Sequence, residues 1–167
     1  GIQIKTTNGS REGMERGGFP VFKGVPYANP PVGDLRWRAP EELKAWEGVK
    51  KADCFGNIGM QHLPTGKEPW GAGYYKEFYS DPAYIPPMSE DCLYLNIWMP
   101  DPGEERLEER KLPVAFWIHG GGFAGGYSSE VEFDGEAYCK KGVILVTVEY
   151  RLNVFGFLAH PWLTEED

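Results

Sequence analysis

An α/β fold with a partly parallel sheet is predicted for this 167-residue chain by three features. The segments 114–118 and 143–148 are near-continuous apolar runs, whereas a strand buried on one face only would alternate, so both are expected to be covered on two sides. Between them lies a short helix pattern, with Asp134 placed to cap its start and Lys140, Lys141 and Gly142 forming a basic, glycine-terminated end. Strand, helix and strand within about thirty residues form a βαβ crossover, which pairs its strands in parallel. Upstream, alternating segments flank Asn8-Gly9, a dipeptide suited to the positive φ angles of a tight hairpin turn, and this predicts antiparallel strands ahead of the parallel pair.

In chain order, Ile2 to Thr6 and Arg11 to Glu15 are the arms of that hairpin. Phe19 to Lys23 adds a third strand, and Pro20, which cannot donate to a ladder, places it at a sheet edge. Residues 24–33 are too rich in proline for regular structure, and Leu35-Arg-Trp-Arg38 and Trp46 follow. Residues 54–89 read as one long irregular loop carrying Trp70, Tyr74, Tyr75, Phe78, Tyr79 and Tyr84. So many aromatics argue against disorder and for a packed loop over a pocket, with plain anchoring to the body an equal alternative. Asp91 to Met99 is a strand with Leu93, Leu95 and Ile97 on one face and Tyr94, Asn96 and Trp98 on the other. The charged run from Asp101 to Lys111 is an exposed connection.

Composition narrows the function. With 41% apolar and 25% charged residues the chain is globular and long enough for one core. A net charge of −8, with no Lys/Arg cluster, disfavours nucleic acid and anionic membrane surfaces as partners. No apolar run approaches the roughly 20 residues of a membrane span. The first residue is Gly rather than Met, which implies a processed or trimmed N-terminus, and an export signal is not excluded. Cys54, Cys92 and Cys139 are widely spaced and the three histidines scattered, so no metal site and no cofactor is expected. An odd cysteine count suits free thiols in a reducing, cytoplasmic compartment.

The chemistry concentrates in His119-Gly120-Gly121-Gly122-Phe123, directly after the first apolar strand. Bare amides on the end of a rigid strand are what an oxyanion hole needs, and His-Gly-Gly-Gly is an esterase and lipase pattern for that role. Glu90-Asp-Cys-Leu-Tyr-Leu-Asn-Ile-Trp-Met-Pro100 resembles the signature of the type-B carboxylesterase and cholinesterase family. Four further blocks resemble that family in the same order: Phe22 to Ala28, Pro31 to Arg38, His119 to Phe123, and Tyr150-Arg-Leu with Gly156-Phe157-Leu158. The resemblance implies the N-terminal part of an α/β-hydrolase fold, in which antiparallel N-terminal strands lead into a mostly parallel central sheet. It implies hydrolysis of small carboxylic esters through an acyl-serine, with Gly121 and Gly122 as oxyanion donors. His119 then shapes the turn and is not the catalytic base. Trp70, Tyr74 and Phe123 are weak candidates for substrate contact.

The nucleophile the family places in Gly-x-Ser-x-Gly has no counterpart among Ser10, Ser80, Ser89, Ser128 and Ser129. Gly126-Tyr-Ser-Ser-Glu130 comes nearest, but Glu130 stands where a second glycine is required. The triad order of this fold then puts the acid and base beyond residue 167 as well, leaving His62 and His160 as poor bases. Residues 1–167 are therefore expected to be one portion of a catalytic domain, inactive alone. A second polypeptide, the C-terminal remainder of the same esterase, should supply the elbow, three further strands and most helices, and cover the two apolar strands. The alternatives are a non-catalytic adhesion module of cholinesterase-like type, disfavoured by the intact glycine turn, and a self-contained small domain. Secreted members of the family often pair the cysteine of the Glu-Asp-Cys-Leu block with one upstream, just after a Phe-Gly. Here Gly59 stands in that place with Cys54 before it, so free thiols are favoured over a Cys54–Cys92 bridge. Asn153 stands where many members have Gly, and no functional meaning attaches to it at this level.

Overall fold

The computed structural model describes residues 1–101, 103 and 109–165. Seven strands form one mixed sheet: β1 (Ile2–Lys5), β2 (Ser10–Arg16), β3 (Phe19–Pro26), β4 (Val49–Lys51), β5 (Tyr94–Trp98), β6 (Val114–Ile118) and β7 (Ile144–Val148). Their order is β1-β2-β3-β5-β7-β6, with β4 alongside β2. Among the described residues four short helices accompany them: α1 (Ala72–Phe78), α2 (Glu136–Cys139), α3 (Asn153–Phe157) and α4 (Pro161–Thr164). The expected sequence of antiparallel strands followed by a parallel pair is present. β1, β2, β3, β5 and β7 pair antiparallel in succession, and β6 lies parallel to β7 in the register Val114↔Ile144 to Ile118↔Val148. Of the charged connection from Asp101 to Lys111, residues 102 and 104–108 lie outside the described residues.

Three expectations are corrected. β3 is an interior strand, held between β2 and β5, and not an edge. Pro20 is tolerated because it precedes the β5 ladder, which begins at Val21, and contributes its carbonyl instead, accepting from Met99 N at 2.9 Å. The loop of residues 54–89 contains α1 and a 3-10 turn at Pro82–Tyr84, and it is tied back by the bridge Ile58↔Met88. Its aromatics are not random in position. Tyr74, Tyr75, Phe78 and Tyr79 recur at helical spacing, and Tyr75 and Phe78 pack around the buried Ile58, Tyr79 and Tyr127. Finally, β6 is not buried on both faces. It is the sheet edge among the described residues, and Val114, Phe116, Trp117 and Ile118 are 57, 56, 43 and 63% exposed. Ala115 alone packs on the core side, while Trp117 leans on Phe133 at 5.2 Å between ring centres.

The core sits on β3, β5 and β7. Val21, Trp98, Cys139 and Leu145 form one cluster, with Met14, Phe19 and Phe55 against it. The α2 segment closes as its pattern predicts: Val143 N bonds Tyr138 O and Gly142 N bonds Cys139 O, the pair of returning bonds that stops a helix. Gly135 occupies the cap position, but Asp134 still accepts from Glu136 N at 2.9 Å. All three cysteines are free, Cys92 and Cys139 buried and Cys54 exposed.

The centre of the sheet is polar by design of the sequence. Asn96, on the face shared with Trp98, donates to Ser128 Oγ at 3.1 Å and Thr147 Oγ1 at 3.2 Å and accepts from Gly24 N at 3.0 Å. Gly24 is where the β3–β5 register shifts, at φ +62°, and a Cβ there would lie 2.3 Å from Cys54 O. One amide side chain therefore links the bulge, β7 and the segment that follows the glycine turn. Replacing it with an apolar isostere strands three buried polar groups. Asn96→Leu is expected to destabilise the intact protein by about 3 kcal/mol, read as a fall in the urea midpoint with unchanged slope.

Candidate active site at the glycine turn

β6 ends at Ile118 and runs into His119, which is buried. The His119 Nδ1 lies 2.8 Å from Gly120 O, and since a carbonyl only accepts, Nδ1 carries the hydrogen. Burial lowers the His119 pKa, so the ring is neutral. It stacks on Tyr150 at 4.4 Å and 19°, and the Tyr150 hydroxyl donates to His119 O. The expectation that this histidine shapes the turn by hydrogen bonding matches its contacts. Sequence order alone put it beside the glycines; the partner that immobilises it comes from the end of β7.

The turn that follows is a tight knot of backbone. Gly121 O accepts from Ala124 N at 3.1 Å and Gly125 N at 3.2 Å. Gly121 has φ +129°, and a Cβ on it would come within 1.9 Å of Gly125 O. Gly122 and Phe123 both take left-handed φ, +61° and +63°. The amides of Gly121 and Gly122 find no acceptor among the described residues. Gly120 and Gly121 line a cleft of about 560 Å³.

Two amide side chains that sequence reasoning passed over hold this knot in place. Gln61 brackets the Gly126 peptide groups, accepting from Gly126 N and donating to Gly126 O, each at 2.9 Å. Asn153 donates from Nδ2 to Ala124 O at 3.0 Å and to Met60 O at 2.9 Å, and from its backbone N to Phe123 O at 2.8 Å. Asn153 has φ +55°, a backbone conformation in which glycine is the usual residue, in keeping with the glycine that the family resemblance led one to expect there. Asn is among the side chains that best tolerate the left-handed region, and here it adds two hydrogen bonds that glycine lacks. A non-glycine residue at a glycine position was the signal that could have found it.

The other candidates separate. Trp70, 71% exposed, and Tyr74 line the cleft, from the segment just before α1 and from α1 itself. Phe123 does not line it; its ring packs on Phe157 at 4.5 Å. His62 lines the cleft and is exposed, whereas His160 caps α4, its Nδ1 accepting from Trp162 N at 3.3 Å. Ser128 is buried with its Oγ accepting from Asn96, and its backbone N donates to Glu149 Oε1. Among the described residues no His/Cys/Asp/Glu group could hold a metal ion, and no helix is long and apolar enough to cross a membrane.

Two carboxyls near the turn are buried, Glu130 on the cleft and Glu149 behind Ser128, and neither was singled out for a role from sequence. Glu149 is raised to about 8, chiefly by burial, against the donors from Ser128 that lower it. Glu130 is raised to about 7, again by burial first, although Tyr79 and Tyr127 donate to it. Glu130 lines the cleft with its neighbour Glu132.

The model of the carboxylesterase family matches residues 2–164. The chain belongs to the carboxylesterase family. It is 42% identical over 166 residues to fumonisin B1 esterase of Sphingopyxis macrogoltabida, covering 96% of this chain and 26% of that protein. It is 40% identical over 158 residues to para-nitrobenzyl esterase of Bacillus subtilis, covering 93% and 29%. A solved para-nitrobenzyl (PNB) esterase superposes with a TM-score of 0.80 at 36% identity, over 98% of this chain and 30% of that one. A carboxylesterase of Geobacillus stearothermophilus superposes at 0.72 and 40% identity, over 93% and 28%. The fold is thus part of an α/β-hydrolase, and the chain spans between a quarter and a third of the length of these relatives.

The clamp can be tested by stability. Asn153→Ala loses both side-chain bonds and strains the backbone, and is expected to cost the intact protein about 2–3 kcal/mol. Asn153→Gly loses the bonds but relieves the backbone, and should cost about 1 kcal/mol less than Asn153→Ala. Equal midpoints for the two variants in urea would rule out the left-handed requirement at this position.

Proposed function

We propose that this esterase portion supplies the oxyanion hole of a serine carboxylesterase acting on small carboxylic esters, with Gly121 and Gly122 as the amide donors. The observation that carries the reading is the pair of unpaired amides on a turn that Gln61, Asn153 and His119 immobilise beside an open cleft. In ester hydrolysis a nucleophile adds to the carbonyl carbon and the π electrons move to oxygen. Two fixed N–H groups aimed at that oxygen stabilise it most when its charge is greatest, in the transition state, and removing one donor costs about a hundredfold or more in rate. Because both peptide groups are already held, no reorganisation accompanies the reaction.

The nucleophile, acid and base belong, in this reading, to the remainder of the same esterase. Its packing on β6 accounts for the exposed Val114, Phe116 and Ile118, each of which in water would forgo about 1–2 kcal/mol of further burial. Ser128 fits poorly as an internal nucleophile, since its hydroxyl is occupied and buried. The similarity to enzymes named as esterases supports the same chemistry.

The test is turnover of p-nitrophenyl esters by the full-length protein and by residues 1–167 alone. The full-length protein is expected to turn over and to lose activity to a serine-directed phosphonate. Residues 1–167 are expected to be silent and to carry no phosphonate adduct by mass. Turnover by the shorter chain on its own, or phosphonate bound within it, would overturn the assignment.

A further inference from the structure

We propose that Glu149 is a positioning residue for the glycine turn. From the end of β7 its carboxyl holds the exit of the turn through the Ser128 amide, while the adjacent Tyr150 holds the entry through His119. The proposal rests on reading Gly121 and Gly122 as the oxyanion donors.

The turn needs such a hold because of its composition. Between His119 and Tyr127 only Phe123 and Ala124 are not glycine, and Gly121, Gly122 and Gly126 all take positive φ. A segment so poor in side chains has wide backbone freedom, so the direction of its amides depends on where its two ends are fixed. The entry is fixed by the stack of Tyr150 on His119 and by the bond from the Tyr150 hydroxyl to His119 O. The exit is fixed by the bond from Ser128 N to Glu149 Oε1, between two buried residues. Glu149 is itself pinned on both sides of its backbone. Its N donates to Tyr94 O on β5 at 2.8 Å, and its O accepts from the Tyr27 hydroxyl at 2.7 Å. Its carboxyl therefore stands on the sheet as a rigid post.

The other contacts at the exit do not replace this one. Asn96 Nδ2 reaches Ser128 Oγ at 3.1 Å and leaves the backbone amide to Glu149. Glu130 accepts from Tyr127 N at 3.3 Å, but it lies three residues further along the same segment and moves with it. Exit and entry also touch: a Cβ on Gly126 would lie 2.4 Å from Gly120 O and 2.7 Å from His119 Nδ1. A shift at Ser128 is therefore passed through Gly126 to the residue that precedes Gly121. The second Glu149 oxygen, Oε2, is buried with no hydrogen-bond partner among the described residues, a cost to the fold that an apolar side chain would avoid. With the exit released, the Gly121 and Gly122 amides spread over several directions. Stabilisation of the developing oxyanion is then lost while binding of the ester is not, so the signature falls on kcat and leaves KM.

The experiment uses the full-length protein, with active sites counted by stoichiometric phosphonate labelling so that misfolded material does not enter the rates. Glu149→Leu removes the acceptor, Glu149→Asp keeps the carboxyl but draws it back from Ser128, and Glu149→Gln keeps an acceptor in place. For p-nitrophenyl acetate, kcat per labelled site is expected to fall about tenfold or more in the Leu and Asp variants, with KM within about twofold of the parent. Affinity for a trifluoromethyl ketone, whose serine adduct places a negative oxygen on the same amides, should fall by the same factor as kcat. Glu149→Gln should recover both to within about threefold, even where it lowers stability. Should the Leu variant not fold, the Asp variant decides. Unchanged kcat per labelled site in the Asp variant, a loss carried by KM with ketone affinity intact, or a Gln variant as impaired as Asp would each overturn the proposal. Absence of phosphonate-sensitive turnover in the parent would instead sink the esterase reading. Amide hydrogen exchange of residues 124–128 would then still decide the hold: protection about tenfold lower in Glu149→Asp than in Glu149→Gln supports it, and equal protection refutes it.

Discussion

A peptide N–H left without an acceptor is unstable in a folded chain, because nearby carbonyls are plentiful and the backbone bends to reach them. The structure around residues 119–126 depends on denying the Gly121 and Gly122 amides that escape. Gly121 O is already committed to Ala124 and Gly125, Gly126 is bracketed by Gln61, and Ala124 O and Phe123 O are taken by Asn153. With these neighbouring acceptors engaged, few carbonyls are left for the turn to collapse onto. The constraint reaches back into the sheet. Tyr150 both stacks on His119 and donates to its carbonyl, so the end of β7 fixes the end of β6, and the parallel register of the two strands sets where the turn begins.

Much of this was legible in the chain itself because its signals are local. The β1–β2 hairpin, the alternation through β5 and the helix end at Lys140-Lys141-Gly142 each follow from residues within a few positions of one another, although the hairpin closes through the four residues Thr6–Gly9 and Asn8 does not take the positive φ expected of a tight Asn-Gly turn. Pro20 misled because the rule against proline in interior strands concerns a particular ladder bond, and the bond it would have made lies past Trp98, where β5 ends. The exposure of β6 was hidden for a different reason: an apolar run reports that a strand is meant to be covered, not by what. In α1 the helical spacing of Tyr74, Tyr75, Phe78 and Tyr79 was present but masked by Gly71, Gly73 and the prolines around it.

The site was half legible. The glycine cluster announced itself, whereas the side chains that hold it come from 58 to 65 residues upstream and from beyond β7, and no local pattern marks Gln61 as a clamp. The two carboxyls were missed because in sequence they look like surface charge in an acidic chain. Only their burial, with tyrosine hydroxyls pointed at one and a backbone amide at the other, separates them from the other glutamates.

The bare side of β6 has a practical meaning for anyone handling these residues by themselves. The outer edge of β6, which pairs with no other strand among the described residues and is flanked by Phe116 and Ile118, is a template on which another extended chain can dock in register. Purification of such material would meet self-association before it met denaturation, and mild solubilising agents that mask a sheet edge would serve it better than anything that merely tightens the core.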